Sequence, residues 1–90
     1  MILFHKEFGE GKPLIILHGL FGFSDNWQTH AKVLSSYFRV ILLDLRNHGR
    51  SPWSSTHSYA EMVSDVLETM NSLDIERAHF IGHSMGGKVL

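Results

Sequence analysis

The sequence predicts an α/β fold, a mainly parallel sheet flanked by helices, in one domain that takes in residues 1–90. Three observations carry that prediction. Short apolar runs bounded by glycine, proline or charge recur along the chain, each too short for a helix. Between them lie segments whose apolar residues repeat at three- and four-residue spacing. The resulting alternation of strand and helix is the pattern of repeated βα units, whose right-handed crossovers make neighbouring strands parallel.

Composition narrows the function classes. A hydrophobic content of 43% with 19% charged residues is the balance of a globular chain, not a disordered one. Eight basic and nine acidic side chains leave a net charge of −1, which offers no bulk attraction to nucleic acid or an anionic membrane. With no cysteine, a disulfide framework, a thiolate metal site and a cysteine nucleophile are excluded. Seven histidines is a high number, but no pair falls at i, i+4 on a predicted helix and His-Glu-x-x-His is absent. No metal or other cofactor is therefore expected, and His5, His30, His57 and His79 read as loop and strand-end residues. The first six residues hold too short an apolar stretch for a signal peptide and no run approaches a membrane span, so a cytoplasmic location is expected.

Residues 1–8 alternate loosely and read as one or two short strands at a sheet edge, closed by the turn Gly9-Glu10-Gly11-Lys12-Pro13. Leu14-Ile15-Ile16-Leu17 is a continuous apolar run, as suits a strand buried on both faces, and it ends in His18-Gly19-Leu20-Phe21-Gly22. Ser24-Asp25-Asn26 supplies cap residues, with Gln28 a reciprocal cap. Trp27, Ala31 and Leu34 continue a helix to about Ser35. Arg39-Val40-Ile41-Leu42-Leu43-Asp44 is the next strand and opens into a polar loop over residues 45–52. Ser58-x-x-Glu61 is a capping box, after which Tyr59, Met62, Val63, Val66, Leu67, Met70 and Leu73 keep one helix face apolar over four turns. A polar connection at residues 74–77 leads to a buried strand, Ala78-His79-Phe80-Ile81.

That strand breaks into Gly82-His83-Ser84-Met85-Gly86, which is Gly-x-Ser-x-Gly ahead of a new helical start. The pattern is the sequence form of a nucleophile elbow, a sharp strand-to-helix turn that exposes the serine hydroxyl. Residues two before and two after the serine approach neighbouring backbone, so small residues belong at Gly82 and Gly86. Acyl transfer through serine needs a nucleophile, a histidine base oriented by an acid, and backbone donors for the oxyanion. Ser84 is the candidate nucleophile, and the amide of Met85 is one candidate donor. The second donor belongs to the loop after a central strand, where Leu20 is the first choice and Phe21 the alternative. Phe21 and Trp53 are candidates to line an acyl pocket, and His83 is a packing or pocket-wall residue.

Three motifs in this order resemble the α/β-hydrolase superfamily: His18-Gly19 after a strand, Asp44-x-Arg-x-His-Gly-x-Ser51, and Gly82-His83-Ser84-Met85-Gly86-Gly87. The wording of the middle motif is most similar to small bacterial acyl-CoA esterases and related abhydrolase-domain esterases. The resemblance implies a serine hydrolase of carboxylic esters or thioesters, acting through a Ser84 acyl-enzyme with Leu20 and Met85 as the oxyanion hole. It also implies that the catalytic aspartate and histidine follow later strands. The chain is accordingly expected to be the N-terminal part of such a domain, stopping just after the elbow. Completing the fold would need its own C-terminal remainder, and the chain alone is expected to be inactive. Asp44 and His48, four residues apart in one loop, read better as loop-shaping residues than as a catalytic dyad, with Asp44 and Arg46 bonding backbone. Two other readings stay open: haloperoxidase-like or carbon–carbon bond hydrolase chemistry on the same fold, and a non-catalytic fragment acting as a binding piece.

Overall fold

The computed structural model describes residues 1–19, 27–55 and 58–82. Its elements run β1 (His5–Phe8), β2 (Pro13–Leu17), α1 (Gln28–Leu34), β3 (Arg39–Leu43), α2 (Tyr59–Ser72) and β4 (His79–Gly82). The strands form one sheet in the order β1-β3-β2-β4. β3 and β4 lie parallel to β2 on either side of it, and β1 closes one edge antiparallel to β3.

The apolar runs are continuous because both faces of the sheet are covered. Successive strand residues point to opposite faces, and the two cores divide on that period. Ile15, Leu17, Ile41 and Leu43 pack with Met62, Val66 and Met70 of α2. Leu14, Ile16, Val40 and Leu42 pack with Ala31 of α1. Each α2 anchor contributes on the order of 1.5–3 kcal/mol by burial.

Several elements differ from expectation. Trp27 occupies the N-cap of α1 and makes no side-chain cap bond; the residues expected to cap it, Ser24, Asp25 and Asn26, lie outside the described residues. The capping box of α2 forms through one hydroxyl: Ser58 Oγ accepts from the Glu61 N–H at 3.2 Å and donates to Glu61 Oε1 at 3.0 Å. The buried face of α2 is narrower and more polar than its apolar residues suggest. Met62, Asp65, Val66, Thr69 and Met70 are buried, while Tyr59, Val63 and Leu67 are exposed. Ile75, inside the expected polar connection, is buried in the α2-side core. β4 is an edge of the sheet among the described residues, with Phe80 and Ile81 each 37% exposed.

Candidate active site

The register aligns the carboxyl ends of the three parallel strands. Leu17 lies opposite Leu43 on one side and Gly82 on the other. The three sequence motifs start at this level: His18 follows Leu17, Asp44 follows Leu43, and Gly82 is both the end of β4 and the first residue of the third motif. β2 is also where the winding reverses: the chain passes from β2 through α1 to β3, then through α2 back across β2 to β4. A crevice at such a reversal, outside the carboxyl ends of the strands, is where α/β sheets bind ligands.

The loop after β3 is a tight knot. Asp44 N–H donates to the Phe4 carbonyl at 3.0 Å, and Asp44 Oδ2 accepts from the Arg50 N–H at 3.0 Å. Ser51 Oγ donates to the Asp44 carbonyl and accepts from the Phe4 N–H, tying the loop to the segment before β1. Asn47 Oδ1 accepts from the Ser54 N–H at 2.6 Å, and His48 Nδ1 bonds the Arg46 carbonyl at 2.8 Å. Gly49 has φ +50°, and a Cβ there would run into the Asp44 carboxylate. Asp44 thus shapes its loop as expected.

The buried Arg46 guanidinium reaches α2, with Nε and Nη2 on the two oxygens of Asp65 at 2.6 and 2.9 Å and Nη1 on Glu61 Oε2 at 2.8 Å. The Met1 ammonium lies 3.0 Å from Asp65 Oδ1. Burial works to raise the Asp65 carboxyl, but the hydrogen bonds from Arg46 and the Met1 ammonium hold it below its ordinary value. Those same carboxylates, Asp65 foremost, raise Arg46 further above its already high value against the opposing effect of burial.

His18 is the residue that sequence reasoning left without a role. It is 1% exposed, and its ring bridges two strand ends. Nε2 accepts from the Leu45 N–H at 3.0 Å, and Nδ1 donates to the Gly19 carbonyl at 2.7 Å. Burial lowers its pKa, the bond to Gly19 opposes that, and His48, 5.0 Å away ring to ring, adds to the lowering. The available signal was position alone: a histidine between a buried strand and a glycine.

Of the predicted site residues, Trp53 is described and stands 75% exposed on the loop after β3. Leu20, Phe21, His83, Ser84 and Met85 lie outside the described residues. A cavity of about 380 Å³ lined by Lys12, Pro13, Arg77, Ala78 and His79 opens at the opposite, amino-terminal ends of β2 and β4. It is remote from the motif loops and has no part in the chemistry they suggest.

The model of the alpha/beta hydrolase fold family matches residues 12–90. The chain belongs to the α/β-hydrolase family. Among α/β-hydrolases it is similar to the esterase YbfF of Escherichia coli (strain K12), 42% identical over 78 residues that make up 87% of this chain and 31% of the relative. It is 46% identical over 80 residues to the sn-1-specific diacylglycerol lipase ABHD11 of Xenopus laevis, covering 87% of this chain and 26% of the relative. A solved structure of a marine microorganism esterase superposes with a TM-score of 0.96 at 52% identity, over 98% of this chain and 34% of that one. The chain therefore spans about a quarter to a third of the length of these hydrolases. No helix among the described residues is long and apolar enough to cross a membrane.

Proposed function

We propose that this chain supplies the nucleophile half of a serine hydrolase acting on carboxylic esters or thioesters. The observation that carries the reading is the alignment of Leu17, Leu43 and Gly82 at one level of the sheet. It puts Gly82, which opens the Gly82-x-Ser84-x-Gly86 motif, level with Leu17, which precedes His18-Gly19, and this supports a serine nucleophile beside a backbone oxyanion donor. The relatives named as esterases and a lipase support the ester class. In this reading Ser84 Oγ attacks the acyl carbonyl, the amides of Leu20 and Met85 receive the oxyanion, the alcohol or thiol leaves, and water releases the acid from the acyl-enzyme. Phe21 and His83 line the acyl pocket, with Trp53 at its rim. The base and its orienting acid come from a further part of the protein, so residues 1–90 alone have no Ser84-dependent turnover.

The test is labelling of the full-length protein carrying these residues with a fluorophosphonate. Ser84→Ala is expected to abolish both labelling and hydrolysis of p-nitrophenyl butyrate. Labelling or turnover retained in the alanine variant would remove Ser84 as nucleophile.

A further inference from the structure

We propose that the cavity at the amino-terminal ends of β2 and β4 is a second binding site, one that takes a phosphate monoester group. The register builds it. Leu14 lies opposite His79, and two positions before that pair stand Lys12 and Arg77. With Pro13 and Ala78 these residues line about 380 Å³, a volume within the range of small-molecule pockets. The length of β2, roughly 13 Å, separates this end of the sheet from the motif loops. The site is therefore independent of the Ser84 reading. Its lining residues are held by local structure. The residue before a proline favours extended backbone, and the Lys12 carbonyl accepts from the Arg39 N–H at 3.0 Å, which ties that residue to β3. The His79 ring meets the Phe38 ring edge to face, 6.0 Å between centroids, and Phe38 packs on the α1-side core.

Charge selects the ligand. The chain as a whole carries −1, and Arg39 and Arg46 each sit on carboxylates, Arg39 on Glu7 and Arg46 on Asp65 and Glu61. Around the cavity the pattern reverses. Lys12, Arg77 and His79 have no carboxylate within ion-pair distance among the described residues, their sequence neighbours Glu10 and Glu76 included. A cleft lined by one sign of charge concentrates the opposite ion. Lys12 and Arg77 supply two full positive charges, which a phosphate monoester of about −1.5 to −2 matches and a single carboxylate does not. Arg77 offers a planar fork for two phosphate oxygens and Lys12 a point charge. The His79 ring N–H adds a further donor.

The test is titration of the full-length, ¹⁵N-labelled protein carrying these residues with inorganic phosphate, phenyl phosphate and acetate, at about pH 8 where phosphate is the dianion. Inorganic phosphate and phenyl phosphate are expected to shift the amide signals of Lys12 and residues 77–79 saturably. Acetate is expected to bind about tenfold more weakly or worse. Arg77→Gln is expected to weaken phosphate binding about tenfold or more through the loss of charge-assisted hydrogen bonds. Lys12→Gln should weaken it as well. Both variants are expected to keep wild-type turnover of p-nitrophenyl butyrate, since neither residue belongs to the motif loops. Phenyl phosphate bound more tightly than inorganic phosphate supports the site and identifies its ligand as a phosphorylated organic molecule; equal affinities support it with free phosphate as the ligand. Shifts that do not saturate or that centre elsewhere in the wild-type protein would overturn the proposal. So would an affinity unmoved by Arg77→Gln or Lys12→Gln in variants shown folded by circular dichroism. Acetate bound as tightly as phosphate would overturn the assignment of the ligand.

Discussion

At the residue level the loop after β3 shows what a motif can and cannot disclose. Asp44 read as a loop-shaping residue from the sequence, and the Arg50 N–H that its carboxylate accepts from is only six positions away. The ion pair of Arg46 was not legible because its partner Asp65 is 19 residues away on another element, and a lone aspartate beside an apolar helix stripe carries no mark of burial. The pair is bidentate with both members buried, so removing one leaves the other desolvated and uncompensated. Asp65→Asn is expected to lower the melting temperature at neutral pH by on the order of 10 °C. The sign with pH follows from the Asp65 carboxyl lying below its ordinary value in the folded chain. Its contribution is complete above the unfolded carboxylate pKa, about 4, and is lost as pH falls through the lower folded value. The gap between wild type and Asp65→Asn should therefore hold between pH 7 and 5 and narrow below about pH 4. A gap that stays constant down to pH 2 would show that the ion pair does not contribute as described.

At the level of elements, α2 was the most legible part of the chain at its start and the least at its end. The Ser58–Glu61 box announces the N-terminus. The C-terminus is a Schellman turn in which the Asp74 N–H bonds the Asn71 carbonyl at 3.1 Å and the Ile75 N–H bonds the Met70 carbonyl at 2.9 Å. That turn puts Asp74 at φ +57° and drops Ile75 into the core, which is why a stretch read as polar connection holds a buried isoleucine. Glycine is the residue that marks such a turn in a sequence, and aspartate hides it. Aspartate is also costly there: a side chain in the left-handed region costs about 1–2 kcal/mol, and a negative charge opposes the helix dipole. Asp74→Gly is expected to raise the melting temperature by about 4–8 °C for each kcal/mol recovered in a domain of this size. An unchanged or lower melting temperature would mean that Asp74 makes a compensating contact. The first helix offers the contrast, since its N-cap Trp27 makes no cap bond and its expected cap residues fall outside the described residues.

For the whole molecule, strand and helix order was legible because period-two burial and helical spacing are local signals. Strand order was not, because nothing local tells β4 to pass β3 and pair with the far side of β2. The site inherits that division. Its motifs could be read one by one, but the alignment of the strand ends that lead into them depends on register. The same arrangement leaves apolar surface uncovered among the described residues. Tyr59, Val63 and Leu67 repeat every four residues along α2, and Phe80 and Ile81 lie on the edge strand β4. A chain of this length buries only about 60–65% of its unfolded surface even when complete, and an apolar strand edge is a template for pairing with another chain. Residues 1–90 are therefore expected to self-associate, with a light-scattering mass that climbs above 10.3 kDa as concentration rises. Two variants separate the possible sources. Ile81→Lys puts a charge on the edge strand, and Leu67→Glu puts one on the most exposed residue of the α2 stripe, at 56%. If edge pairing dominates, Ile81→Lys alone should return the mass toward the monomer and Leu67→Glu should leave it raised, because main-chain pairing requires the edge and a helix face cannot supply it. A wild-type chain that stays monomeric across the concentration range would show that neither surface is sticky, and a rescue by Leu67→Glu alone would move the contact from the sheet edge to the helix.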